Sequence, residues 1–160
     1  MTDAAALFAS YANDPATTRY LSWPPRQSVA EVEAWLIPRI SRWKSGEEYR
    51  WVIVDRPEGN AFGTVSLRTT SSGYDLGFAL ATSRSGEGIA TSVVNKVLAW
   101  VDAEPTPMVV TASTDPDHAA SKRVLEKCGF LLARRDIGVA RRPGTGDDFR
   151  DSLIFERLNA

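Results

Sequence analysis

The chain has 160 residues, 43% of them apolar, enough for one sizeable core, so a single domain over residues 1–160 is expected. With 19 basic residues against 20 acidic ones the formal net charge is −1, and no bulk field recruits nucleic acid or an anionic membrane. A single cysteine, Cys128, excludes an internal disulfide; with no zinc-type spacing, no membrane-length apolar run and no signal-like start, a soluble cytoplasmic protein without a metal is expected.

Asp3 can cap a short helix in which Leu7, Phe8 and Tyr11 share a face, and "NDPATT" interrupts it. Pro24 and Pro25 make "TRYLSWPPRQ" a loop. Ser28 with Glu31 forms a capping box for a second helix, carried by Val32, Trp35, Leu36 and Ile40. Pro38 is expected to kink or split that helix, and Gly46 to stop it. Three strand candidates, "YRWVIVD", "AFGTVSLRT" and "YDLGFAL", are separated by the turn signals "RPEGN" and "TSSG", so the sheet begins antiparallel. A helix from about Gly88 to Asp102 follows, with Ala90, Val93, Val94, Val97, Leu98 and Val101 at helical spacing. "PMVVTAST" reads as a buried strand. Asp115 and Pro116 read as the cap and first turn of another helix, which Gly129 ends. "FLLARRDIGV" and "DSLIFERL" close the chain as two strands around "ARRPGTGDD". Trp35, Trp43, Trp51 and Trp100 read as packing residues, and Cys128 as a small core residue.

In "ATSRSGEGIATSVVNKVLAWV", Gly86 and Gly88 sit where a strand hands over to an amphipathic helix. Bare backbone N–H groups at a helix start bind phosphate oxygens with help from the helix dipole. Three folds offer such a loop. A P-loop needs lysine after its last glycine, and Ile89 stands there. A dinucleotide fingerprint, with Asp115 as ribose-binding acid, needs a third glycine where Thr91 stands. It also needs a parallel sheet where this strand belongs to an antiparallel meander.

The third reading takes in the whole element order, which resembles the GNAT superfamily of acetyl-CoA-dependent N-acetyltransferases and its RimJ/RimL-like branch. "TRYLSWPP" is similar to the loop after that branch's first helix, and "LGFAL" to its central strand. "SGEGIAT" is similar to its pyrophosphate loop, (Q/R)-x-x-G-x-(G/A). "TDPDHAASKRVLEKCGF" is similar to its N-x-x-S…EK-x-GF segment, and "RDSLIFERL" to its closing strand. The resemblance implies an α+β fold with a mixed, mostly antiparallel sheet of about six strands, splayed in its middle and flanked by about four helices. It implies acetyl transfer from acetyl-CoA to a primary amine, on a protein N-terminus or a small molecule, by direct attack in a ternary complex. Ser85 stands where Gln or Arg is usual, Glu87 where Lys or Arg is common, and His118 where Asn is usual. These departures motivate a non-catalytic acyl-CoA-binding domain as the alternative. The family's strand before the first helix has no counterpart in "MTDAAALF", and the sheet edge so exposed could pair two copies into a homodimer.

Carried over residue by residue, the resemblance assigns Phe78, Ala79 and Leu80 to the pantetheine arm through main-chain atoms. It assigns Gly86, Gly88, Ile89, Ala90 and Thr91, with Ser85, to the pyrophosphate. Glu87 in that loop is expected to face solvent, with Arg84 supplying positive charge. Ser121 is the candidate hydrogen-bond donor to the departing thiolate; as an ordinary helix serine its hydroxyl would instead bond its own backbone. His118, one helical turn earlier, is read as a pantetheine contact before a catalytic one. Arg123 matches an arginine near the 3′-phosphate of CoA, or is a solvated helix residue. Asp75 is the candidate general base, with Glu48 as the other strand-end carboxylate in view. Arg19, Tyr20 and Trp23 fall in the loop that borders the acceptor site in relatives.

Overall fold

The computed structural model describes residues 3–56 and 59–158, so part of the "RPEGN" turn lies outside the described residues. Helix α1 (Asp3–Leu7) runs straight into a π-helical turn (Phe8–Ala12), and together they bury Ala4, Leu7, Tyr11 and Ala12. "NDPATT" does more than interrupt. The Asp14 carboxylate accepts from the N–H groups of Ala16 and Thr17, and Pro15 fills the first helical position, so a short helix α2 (Pro15–Thr18) forms.

Helix α3 (Val29–Ser45) starts as expected, the Ser28 hydroxyl accepting from Glu31 N–H, although the Glu31 carboxylate reaches Gln27 N–H instead of closing the box. Pro38 does not split α3. Its ring removes one backbone bond, and the guanidinium of the next residue, Arg39, adds a side-chain bond to the Trp35 carbonyl. Gly46, at φ 74°, ends the helix, its N–H directed at the carbonyls of Arg42 and Trp43.

Six strands follow: β1 (Glu48–Val54), β2 (Ala61–Thr70), β3 (Gly73–Leu80), β4 (Val109–Thr114), β5 (Leu131–Arg141) and β6 (Phe149–Leu158). They form one sheet in the order β1-β2-β3-β4-β6-β5, antiparallel everywhere except between β3 and β4. The fold is therefore α+β with a mixed sheet. Ala61–Leu67 of β2 are buried without a break, so the sheet centre is covered on both faces.

The parallel pair is short. Gly73–Leu76 face Val109–Ala112, and there the ladder stops. Beyond that point β3 stays with β2 as far as Leu80, and β4 stays with β6 as far as Thr114. Each strand is held by its other neighbour, and a gap opens between them.

Helix α4 (Ile89–Asp102) buries Val94, Val97, Leu98 and Val101. Trp100 on its outer side meets Tyr49, Trp51 and Tyr74, and Trp43 joins from the end of α3, with neighbouring ring centroids 5.1 to 6.4 Å apart. This cluster fastens both helices to the sheet. None of the described helices is long and apolar enough to cross a membrane.

Helix α5 (Ala119–Lys127) begins later than the Asp-Pro signal suggests, with His118 at its N-cap position. Asp115 and Pro116 form a turn instead, closed by His118 N–H donating to the Asp115 carbonyl at 3.0 Å. The Asp115 carboxylate is 1% exposed and serves as a hub. It accepts from Asp117 N–H at 2.9 Å and from Arg150 Nε at 2.7 Å, and Arg142 Nε lies 3.6 Å away. Those arginines come from the far end of the chain, which is why local sequence points to a helix cap. Gly129 (φ 82°) ends α5 as expected, with Phe130 N–H returning to the Leu125 carbonyl. Cys128 is 6% exposed and packs as a core residue.

Among the described residues the sheet has two edges, β1 and β5. Of the two, β5 is the more apolar, with Leu131, Leu132, Ile137 and Val139 exposed.

Asp115→Ala leaves the guanidinium of Arg142, a residue only 6% exposed, without its carboxylate. Removing one partner of a buried pair costs about 3 kcal/mol. The expected outcome is a lower Tm and a lower urea midpoint at unchanged m-value; a loss below about 0.5 kcal/mol, typical of surface sites, would show that the hub is dispensable.

Candidate active site

Two spaces open at the β3/β4 gap. One is a groove of about 730 Å³ running over the glycine loop. Its walls come from the end of β3 (Phe78, Ala79, Leu80), the starts of α4 and α5, and residues Ala16 and Thr17 of α2. Thr17 fastens α2 to this wall, its hydroxyl accepting from Thr82 N–H at 2.9 Å.

Gly86 and Gly88 adopt φ 86° and 78°, the left-handed region that favours glycine. A Cβ at either position would meet nothing within 4 Å, so close packing is not the reason for glycine here. Gly88 occupies the N-cap position of α4 without a side-chain cap, and Ser92 N–H is the first to return to its carbonyl. The first-turn residues Ile89, Ala90 and Thr91 line the groove with no capping side chain in the way. A helix start with bare amides beside a groove suits an anionic phosphate.

Ser85, Arg84 and Arg123 also line the groove, and so does Lys127. Glu87 does not. Its carboxylate takes two 3.0 Å bonds from Arg84 Nε, while another Arg84 nitrogen lies 3.6 Å from Asp55. Glu87 thus turns away from the groove, as expected, but onto Arg84, whose charge is shared with two carboxylates. Arg123 and Lys127 have no such ion pair among the described residues.

The other space is a cavity of about 410 Å³ on the opposite side of the gap. Tyr20 and Trp23 line it, as does Asp75; Arg19 does not. The Arg19 backbone is instead packed against Gly144 in the β5–β6 connection, where a Cβ would come within 2.6 Å of the Arg19 Cα. That close approach holds the connection over the cavity, so that Arg141 and Arg142 form part of its wall.

The groove and the cavity meet at Tyr20, Leu21, Phe78, Ala79, His118 and Ser121. His118 stacks on Tyr20 with ring centroids 4.5 Å apart and planes 19° from parallel. Neither ring nitrogen of His118 has a hydrogen-bond partner among the described residues. Burial pushes its pKa down, Asp115 opposing and Arg142 assisting, so the imidazole is neutral near pH 7. Ser121 is 8% exposed, and its hydroxyl does not bond its own helix or any other described residue.

The two candidate carboxylates differ. Asp75 faces the cavity with Arg68 at 3.8 Å, and burial raises its pKa against the opposing pull of Arg68 and a Thr111 hydroxyl contact. Glu48 lies outside the cavity lining, and its side chain is only 2% exposed. Burial would raise it, but hydrogen bonds and charge from Arg50, with Arg42 and Arg39, outweigh that and hold its carboxyl below the usual range. A carboxylate so tied is a poor proton acceptor.

Sequence reasoning missed much of the cavity wall. Trp35, assigned to packing, lines it beside Arg39 and Arg50, whose guanidinium carbons lie 4.6 and 4.9 Å from its ring centroid. The i, i+4 spacing of Trp35 and Arg39 on one helix was an available signal. Arg142 carried none, since its place depends on a long-range hairpin.

This arrangement has known counterparts. Residues 1–131 match the family model for the acetyltransferase (GNAT) domain. An N-acetyltransferase of Bacillus subtilis described as uncharacterized, YoaA, is 24% identical over 131 residues, covering 80% of this chain and 73% of its own. Among solved structures, RimJ of Mycobacterium smegmatis in complex with CoA-disulfide superposes with TM-score 0.84 at 19% identity, over 98% of this chain and 78% of that one. Spermidine N-acetyltransferase of Vibrio cholerae in complex with CoA and spermine gives TM-score 0.79 at 17% identity, over 99% and 90%. The fold and the matched family model agree with the motif resemblance: this chain belongs to the GNAT acetyltransferase family.

Proposed function

We propose that this chain transfers an acetyl group from acetyl-CoA to a primary amine, the two substrates meeting in a ternary complex at the β3/β4 gap. The observation that carries this is the junction itself. A groove suited to a phosphate-bearing cofactor and a separate cavity share one wall, and the unpartnered polar groups of Ser121 and His118 stand at it.

Acetyl-CoA supplies the activated acyl group. The residues of the chain do the rest. The amides of the Gly86–Thr91 stretch hold the pyrophosphate, with Arg123 and Lys127 adding positive charge. The free edge of Phe78, Ala79 and Leu80 takes the pantetheine arm as an added strand, and a backbone N–H on that edge polarises the thioester carbonyl. Ser121 donates to the sulfur as it gains charge, a role its free hydroxyl allows. The amine enters through the cavity beside Tyr20 and Trp23 and gives up its proton to Asp75, whose raised pKa suits a base. The acceptor is a protein N-terminus, in keeping with the RimJ/RimL-like motifs, or a small amine. The direct test is release of free CoA from acetyl-CoA with a panel of amines; tight binding without turnover on any of them would favour a non-catalytic acyl-CoA-binding domain.

Gly88→Ala and Gly88→Val both carry the cost of a left-handed backbone, about 1–2 kcal/mol. Valine adds bulk in front of the amides, so its CoA dissociation constant should rise well beyond that of the alanine variant. Equal affinities in the folded fractions would show that only backbone conformation matters.

Ser121→Ala should lower kcat by about ten- to a hundredfold, roughly 1.4–2.7 kcal/mol, with acetyl-CoA affinity within a few-fold, because a charge-assisted bond to sulfur strengthens only as the thiolate forms. Full activity, or a loss confined to affinity, would remove Ser121 from the chemistry.

A base with a raised pKa is active only above that pKa. The acid limb of kcat/KM should therefore inflect above the pH at which an ordinary aspartate titrates, and Asp75→Asn should abolish that inflection. Its survival in Asp75→Asn and disappearance in His118→Gln would move the proton-accepting role to His118.

A further inference from the structure

The wall of the acceptor cavity carries Arg39, Arg50, Arg68, Arg141 and Arg142 against the single carboxylate of Asp75. Asp75 is already engaged, 3.8 Å from Arg68. Near Trp35 the imbalance is greatest. Arg39 and Arg50 lie over the Trp35 ring, Arg26 lies 5.0 Å from the Trp23 ring centroid, and the rings of Trp23 and Trp35 are 6.4 Å apart. Arg42 joins them through Glu48, which bonds both Arg42 and Arg50 and, among the described residues, is the one carboxylate in contact with the group. Four guanidinium groups thus share one negative charge.

The consequences are visible atom by atom. Each Arg50 nitrogen makes one bond, two to Glu48 and one to the Thr64 hydroxyl, which leaves two of its five N–H donors uncommitted. Arg39 has only the Trp35 carbonyl, and its Nε is buried with no partner. Arg142, 6% exposed, bonds the Ser152 hydroxyl at 3.0 Å and leaves a second buried nitrogen unpartnered. Burial and the repulsion of Arg50 push the Arg39 pKa down, the direction expected where positive charge is undercompensated.

A purely cationic acceptor would be repelled by such a wall, and a neutral one would leave its donors unmet. We propose that the acceptor amine also carries a negatively charged group, a carboxylate or a phosphate, which the cavity holds through Arg39 with Arg50 and Arg142 while Trp23 and Trp35 flank the body of the molecule. This rests on the acetyl-transfer reading for the identity of the reacting end, but not for the anion contact. The net ligand is zwitterionic: its ammonium end goes toward the gap and Asp75, and its anionic end toward the arginines.

Matched acceptors test it: phenylalanine against phenethylamine for the carboxylate source, and O-phosphoethanolamine against ethanolamine for the phosphate, with spermidine as the polycation. The expected result is a kcat/KM at least about tenfold higher for the anionic member of one pair than for its neutral partner and for spermidine. Arg39→Gln should bring that member down to its partner's level, and Arg39→Lys, which keeps the charge, should restore part of the gap. Unchanged acetyl-CoA affinity in both variants would show that they fold. The pair that shows the preference identifies the source. Equal or better turnover of a neutral amine or of spermidine would overturn the inference, as would a preference that survives Arg39→Gln. If no amine is turned over, the acetyl-transfer reading fails and binding decides: a rise in Tm with saturating phenylalanine or O-phosphoethanolamine that Arg39→Gln abolishes supports the anion site, and no such rise overturns it.

Discussion

Pairing between β3 and β4 ends at Leu76 and Ala112 because each strand keeps a longer ladder with its other neighbour. This competition creates the gap, and everything functional is arranged around it. The end of β3 is left with one unpaired edge inside the protein, where backbone donors and acceptors ordinarily have partners. An extended ligand can complete that edge. The same divergence lets α5 bring His118 and Ser121 to the point where the two spaces touch. A sheet paired along its full length would have had a continuous core there and no junction.

The charges beside the gap are organised around two buried carboxylates. Glu48 gathers Arg42 and Arg50 from α3 and β1, and Asp115 gathers Arg142 and Arg150 from the β5–β6 hairpin. Glu48 is outnumbered, and the surplus lies along the acceptor side of the gap, whereas around Asp115 the second arginine is also paired with Asp117. Ion pairs of this kind position side chains more reliably than they stabilise a fold. Their effect here is to hold long, otherwise mobile arginines as part of a wall. The nearly neutral chain as a whole hides this, because net charge averages over surfaces that do not see one another.

The parts of this design legible in sequence are those whose signals are local. Strand alternation, the Ser28 cap, Gly46 and Gly129 all report backbone conformation within a few residues, and the structure follows them. The glycine loop was legible for the same reason, since a positive φ at Gly86 and Gly88 is a local demand. Asp115 was misread because an Asp-Pro pair suits a turn as well as a helix cap, and the deciding partners lie 27 and 35 residues further along. Arg39, Arg50 and Arg142 were not legible as a group at all. They come from α3, β1 and the β5–β6 connection, and only the fold makes them neighbours.

Strand β5 carries a different consequence. Its Leu131, Leu132, Ile137 and Val139 lie exposed along an open edge, a template on which another polypeptide could add a strand. Arg134, Arg135 and Asp136 interrupt the apolar run at its centre, and Asp151 and Glu156 on β6 tie the two arginines down. The register of β5 against β6 also slips twice, between Leu132 and Arg134 and between Asp136 and Ala140, which bends the strand out of a flat ladder. Charge and irregularity together act as gatekeepers against amyloid-like stacking. Protection of this edge thus falls to three consecutive residues that line neither the groove nor the cavity.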